Sequence, residues 1–153
     1  MKINKDLIIE DTNVTLKDIA EKSKGDGFAR AHLNSVWNPG ADYSKCPLQL
    51  SYSSNSNISI SNGNIVFGSN VKYAEFTISL QNNNWAATAM YIMLNYGNGS
   101  VAVRNYTGQG NCHSLTVTIN VTPGVNYYFS VYNNNTAISA DYVYSWATIK
   151  AFG

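Results

Sequence analysis

The chain is 153 residues long, enough for one ordinary domain with a short appendage. Charged residues make up 12% of it and the net charge is +1, while Asn, Ser, Thr and Tyr number 21, 16, 10 and 11. A surface covered by neutral polar side chains excludes a basic nucleic-acid binder, which needs cations to neutralise phosphates. The aromatic content and low net charge likewise argue against intrinsic disorder.

Charge is concentrated at the start: residues 1–45 carry seven of the ten basic and seven of the nine acidic side chains. Beyond them stand only Lys72, Glu75, Arg104, Asp141 and Lys150. This asymmetry divides the chain into a charged segment, residues 1–26, and an almost uncharged β-rich domain, residues 27–153. The opening MKINKDLIIED flanks a short apolar core with charges on both sides, unlike a secretory signal, so synthesis in a cytoplasm is expected. The longest apolar run, residues 85–94, is too short to cross roughly 30 Å of hydrocarbon, so no membrane insertion is expected. Cys46 and Cys112 lie far apart without a CxxC spacing, and two unpaired thiols are expected in a reducing compartment.

In chain order, residues 7–9 read as a short strand. Thr15 and Asp18 have the spacing of a capping box, and Val14 and Ile19 that of a hydrophobic staple. They predict a helix over residues 16–24 that stops at Gly25. Its apolar stripe, Leu16, Ile19 and Ala20, is too narrow to hold a short helix alone, so it needs a partner surface. A first strand is placed over residues 31–37, followed by a turn at Asn38-Pro39-Gly40. Residues 48–52 alternate, and Asn62-Gly63 between two apolar runs signals a tight hairpin. Residues 73–80 put Ala74, Phe76, Ile78 and Leu80 on one face, with Tyr73, Glu75, Thr77 and Ser79 on the other. Strands follow over residues 88–96, 100–105, 114–121, 125–132 and 142–151. The 114–121 strand turns Leu115, Val117, Ile119 and Val121 inward. Turn signals at this spacing predict a two-sheet β-sandwich.

Catalytic chemistry is sparse. Cys112, His113 and Asp141 form a nucleophile–base–acid set only on paper, and Glu75 and Asp141 are the only carboxylates available for paired acid–base work. Metal ligands are too few for a usual zinc or calcium site. Gly108 and Gly110 are not followed by a helix, so they do not form a phosphate cradle. No catalytic residue, metal or cofactor is therefore expected, and the chain is read as a non-enzyme.

Aromatic residues stand on faces where polar ones are usual. Strand parity turns Tyr73, Tyr144 and Trp146 outward, as expected for a subunit interface together with Leu16 and Ile19. It also turns Tyr91, Tyr128 and Tyr132 outward. These three fit either cross-strand packing or a ligand platform. With Trp85, Asn133 and Asn134 in loops at the sandwich ends, they are the candidate ligand-binding set. Aromatic rings with amide and hydroxyl groups, and almost no charge, suit neutral sugars bound with little salt dependence.

Several segments carry a resemblance. Residues 57–81, NISISNGNIVFGSNVKYAEFTISLQ, are similar to a segment found in many phage structural proteins. Residues 113–135 and 144–152 look like the last three strands of a TNF/C1q-like jelly roll, with a Pro-Gly turn before a Tyr-rich strand and an apolar final strand. LIIEDTNVTLKDIAEK resembles the strand–helix element that precedes such domains in phage fibres. Residues 27–45 carry no such resemblance. The likeness implies an antiparallel jelly-roll sandwich in a homotrimeric phage head or tail fibre. Its N-terminus would join other virion proteins, and its distal domain would bind a host cell-surface glycan. A lectin-like carbohydrate-binding module outside a virion is the alternative.

Overall fold

The structure, a computed structural model, describes residues 8–9, 14–132 and 136–153. Strands β1 (Ile8–Ile9) and β2 (Val14–Thr15) form a small antiparallel ladder before helix α1 (Leu16–Ser23). The capping box is present. Thr15 Oγ1 accepts the Asp18 amide at 3.2 Å, and Asp18 Oδ2 accepts the Thr15 amide at 3.0 Å. Leu16 is half-buried and Ile19 is exposed, so α1 leaves part of its apolar stripe open.

The sandwich begins with β3 (Gly27–His32), then β4 (Gln49–Ser53), β5 (Ile58–Ser61), β6 (Asn64–Phe67) and β7 (Tyr73–Gln81). After a 3-10 turn (Asn83–Trp85) come β8 (Thr88–Tyr96), β9 (Ser100–Gly110), β10 (Cys112–Asn120), β11 (Tyr127–Tyr132) and β12 (Trp146–Phe152). One sheet has the order β10-β7-β12-β3-β4 and the other β5-β6-β11-β8-β9, with antiparallel neighbours throughout. The chain passes directly from β4 to β5 and from β9 to β10, so the edges of the two sheets lie side by side. Ser53 Oγ donates to the Ile58 carbonyl across one pair of edges, and Asn105 Nδ2 to the Ser114 carbonyl across the other.

Alternation places the core as expected on β7, where Ala74, Phe76, Ile78 and Leu80 are fully buried. Phe76 joins the layers. Its ring meets Phe67 at 5.6 Å, Tyr127 at 5.8 Å and Phe129 at 6.2 Å, all from the opposite sheet. Such pairs each add about 0.5–1.5 kcal/mol beyond area burial. The Asn62-Gly63 turn forms with both φ positive, at 48° and 80°. Gly63 is also required by space, because a Cβ there would lie 2.2 Å from the Cys46 carbonyl oxygen.

Two expected strands differ at their starts, and β9 runs past its expected end at residue 105. The first lies at β3, not at residues 31–37, because Ala29 and Ala31 fill the inward positions while Phe28, Arg30 and His32 face outward. Small residues inside and large ones outside reverse the usual pattern. The last strand begins at Trp146, so Tyr144 belongs to the preceding turn, where its amide donates to the Asp141 carbonyl. Cys46, buried, and Cys112, exposed, are both free thiols.

The sandwich has two poles. The link from α1 into β3 is clamped at one: Asn57 Nδ2 donates to the carbonyls of Lys24 and Asp26, and Asp26 Oδ1 accepts the Gly153 amide. A Cβ on Gly25 would meet Asn70 O at 2.2 Å and Gly153 Cα at 2.4 Å. The 3-10 turn, the end of β11 and the start of β12 lie at the opposite pole, where Asn82 and Trp37 bridge Ile138.

Candidate functional site

Two outward faces carry the predicted site residues. On the sheet that holds β3 and β12, Tyr73 stacks on Phe152 with centroids 4.9 Å apart and planes 14° apart. Phe28 meets Tyr52 at 6.2 Å, and the Arg30 guanidinium lies 5.6 Å from the Trp146 ring. The charges of this face have partners within it: Lys150 pairs with Glu75 at 3.3 Å, and Arg30 donates to the Tyr142 carbonyl at 3.2 Å. Tyr73 and Trp146 therefore share a face. Tyr144 stands at the pole beside exposed Tyr142 and Val143, while Leu16 and Ile19 lie on α1 beyond the other pole.

The other sheet brings Tyr91 and Tyr132 together with residues that strand parity missed. Cross-strand register sets Tyr132 opposite Tyr91 and Tyr91 opposite Tyr106. The Tyr43 amide donates to the Val131 carbonyl, which extends the row past β11. The result is a line of four rings, Tyr43, Tyr132, Tyr91 and Tyr106, with centroid spacings of 5.2, 5.9 and 5.1 Å. Arg104 lies over two of them, 4.0 Å from the Tyr91 centroid and 4.9 Å from that of Tyr132. Tyr128 sits further along the same face under Lys45, whose Nζ is 5.0 Å from the ring and 2.7 Å from Asn64 Oδ1.

Tyr106 escaped the sequence reading because it lies past the expected strand end at residue 105, whereas β9 runs to Gly110; Arg104 lies within the expected strand, but spacing alone does not set which rings it meets. Tyr43 escaped because its segment has no strand pattern. Trp85, 67% exposed, projects at the pole in the 3-10 turn, and among the described residues it makes no ring contact with the row. Asn133 and Asn134 lie outside the described residues.

The paper set of Cys112, His113 and Asp141 is not assembled. His113 is buried, with Nδ1 at 2.6 Å from Thr107 Oγ1 and Nε2 at 3.2 Å from Asn82 Nδ2. Asn82 Nδ2 also donates to the Ala86 and Gly110 carbonyls, which fixes the orientation of the amide. The Thr107 hydroxyl hydrogen goes to the Met90 carbonyl, so Thr107 Oγ1 accepts from His113 Nδ1–H. Burial holds the His113 pKa below its usual value, against an opposing hydrogen bond to Gly110. Asp141 is exposed and its Oδ1 accepts the Tyr142 amide, while Glu75 is held by Lys150.

The strand order and the pairing of the sheets define a TNF-like jelly roll. The structure is similar to murine APRIL (TM-score 0.68, 8% identity, covering 82% of this chain and 98% of that one). It is similar also to PRD1 vertex protein P5 (TM-score 0.61, 13% identity, 84% and 96%) and to Eiger TNF from S. frugiperda (TM-score 0.61, 8% identity, 84% and 94%). No protein-family model and no curated protein matches the sequence.

Proposed function

We propose that the chain is a bacteriophage virion structural protein, a homotrimeric head or tail fibre domain that attaches to the host through a cell-surface glycan. The observation that carries this reading is the outward face with Tyr73, Phe152 and Trp146. It is rich in aromatic side chains, Lys150 is paired with Glu75 and Arg30 lies over Trp146, so it suits burial against copies of itself. The likeness to a phage vertex protein supports a place on a virion. The polarity of the fold supports the orientation: α1 enters at one pole, where it would meet other virion proteins, and Trp85 and the tyrosine row lie toward the other. We place self-association on Tyr73 and Trp146, with Leu16, Ile19 and Tyr144 at its two ends. Glycan contact falls to Tyr91, Tyr128, Tyr132 and Trp85, with Asn133 and Asn134.

Mass measurement in native buffer tests the assembly. A trimer is expected at tens of micromolar. Trp146→Ala removes a ring worth about 1.5–3 kcal/mol per buried copy and should shift the population toward monomer. A monomeric wild type refutes the fibre reading and favours the lectin-like module. Deleting residues 1–25 should leave the protein unable to join particles.

A further inference from the structure

The outward face of the sheet that holds β8, β9 and β11 is a built surface. Lys45, Ser130, Met93 and Arg104 form one rung across it, since Lys45 bridges Ser130, Ser130 is opposite Met93 and Met93 is opposite Arg104. Met93 and Ser130 point away from the core yet are fully buried, and Asn95 beside them is 2% exposed. Tyr91, Tyr132, Arg104 and Lys45 stand on the same face. Asn95 Nδ2 donates to Ser130 Oγ at 2.6 Å and to the Tyr128 carbonyl at 3.3 Å, which makes the floor of the surface rigid.

The charge on this face is one-sided. The strands β5, β6, β8, β9 and β11 contain no acidic residue. Lys24 pairs with Glu21 and Lys150 with Glu75, while Arg104 lies over the rings of Tyr91 and Tyr132 and Lys45 over that of Tyr128. Asp42 precedes Tyr43, at the end of the row away from Tyr106. Arg104 is exposed and its guanidinium carbon lies close over the rings of Tyr91 and Tyr132, so the cation is placed on the row while its N–H donors face solvent. On either side, Tyr43 and Tyr106 are 49% and 57% exposed and offer ring faces that Arg104 does not cover.

We propose that this face binds a carboxylate-bearing saccharide, with Arg104 receiving the carboxylate and Tyr106 and Tyr43 stacking on the flanking sugar rings. A planar guanidinium matches a planar carboxylate through paired N–H···O bonds. The ring spacings along the row are comparable with the length of one sugar unit. Two cations suit one or two anionic groups and not a densely sulfated chain, which requires many. The inference rests on the glycan reading above and alters its chemistry: the sugar is acidic, and binding weakens with salt.

The test is a panel of sialylated and uronate-containing oligosaccharides beside their carboxyl-reduced counterparts, titrated against the full chain at about 0.05 M and about 0.5 M salt. At least one carboxylate-bearing member should bind, with affinity falling about tenfold or more when its carboxyl is reduced. Arg104→Met should give a similar loss, and Arg104→Lys, which keeps the charge and removes the planar fork, an intermediate one. The comparison of acidic and reduced sugars uses the unaltered protein, so it decides the matter even if a variant fails to fold. If reduced and acidic forms bind equally, the acidic-sugar inference is overturned and the glycan reading stands. If no saccharide binds, acidic or neutral, both are overturned.

Discussion

Tyr132→Ala, inside the tyrosine row, should be far more damaging than Tyr106→Ala, at its end. Tyr132 is the last residue of β11 and touches three neighbours: Tyr43 at 5.2 Å, Tyr91 at 5.9 Å and the Arg104 guanidinium at 4.9 Å. An aromatic pair contributes about 0.5–1.5 kcal/mol. A cation over an exposed ring contributes about 0.5–1 kcal/mol. Contacts that share a residue do not add fully, so the loss should be roughly 2–3 kcal/mol. For a domain of this size each kcal/mol lowers Tm by about 2–4 °C, which gives a drop of roughly 5–10 °C. Tyr106→Ala is the control. Tyr106 meets one ring of the row, Tyr91, and is 57% exposed, so its loss should cost about 1 kcal/mol or less. Tyr132→Phe keeps the ring and should melt close to wild type. Calorimetry at a single protein concentration is the assay, because assembly makes Tm depend on concentration. Equal losses for Tyr132→Ala and Tyr106→Ala would refute the reasoning, since the row would then be four independent side chains without a centre.

Gly25→Ala places a Cβ 2.2 Å from Asn70 O, and backbone must move to admit it. A loss of about 1–3 kcal/mol is expected, with faster amide exchange at Gly153, whose N–H is held by Asp26. Below about pH 6.5 an unfolded His113 takes up a proton that the folded, buried ring resists. Stability should therefore be complete above that pH and fall as pH drops toward the lowered folded pKa. Protonation sets an Nε2–H against the Asn82 amide, so His113→Gln should flatten the slope below about pH 6.5 in denaturant titrations.

Where large aliphatic residues alternate with polar ones, the sequence is sufficient. β7, β10, the Asn62-Gly63 hairpin and the Thr15–Asp18 cap follow from local rules, and all form. β3 does not read this way, because its buried positions are alanines and its outward, half-buried ones include Phe28 and Arg30. The site was legible only in fragments. Parity turns Tyr91 outward, but which ring stands beside it depends on the register of β8 against β9, which shifts between Ala89 and Tyr91. Arg104 comes to lie over Tyr132 only after three strands have paired. Local spacing contains no signal for that, and none for the segment at Tyr43 and Lys45 that continues the sheet beyond β11 by isolated bonds.

The side-by-side sheet edges have a consequence for crowding. A protein displayed in many copies is held at high local concentration, where an unpaired strand edge recruits its neighbours into continuous sheets. Most proteins resist this with charge, and a net charge of +1 gives this one little of that defence. Its protection is topological. With β4 against β5 and β9 against β10, a side chain of one rim donates to a backbone carbonyl of the other. A surface of Asn, Ser and Thr can then remain nearly uncharged without becoming adhesive. Substitutions that pry these edges apart should lead to fibrous aggregation before they lead to unfolding.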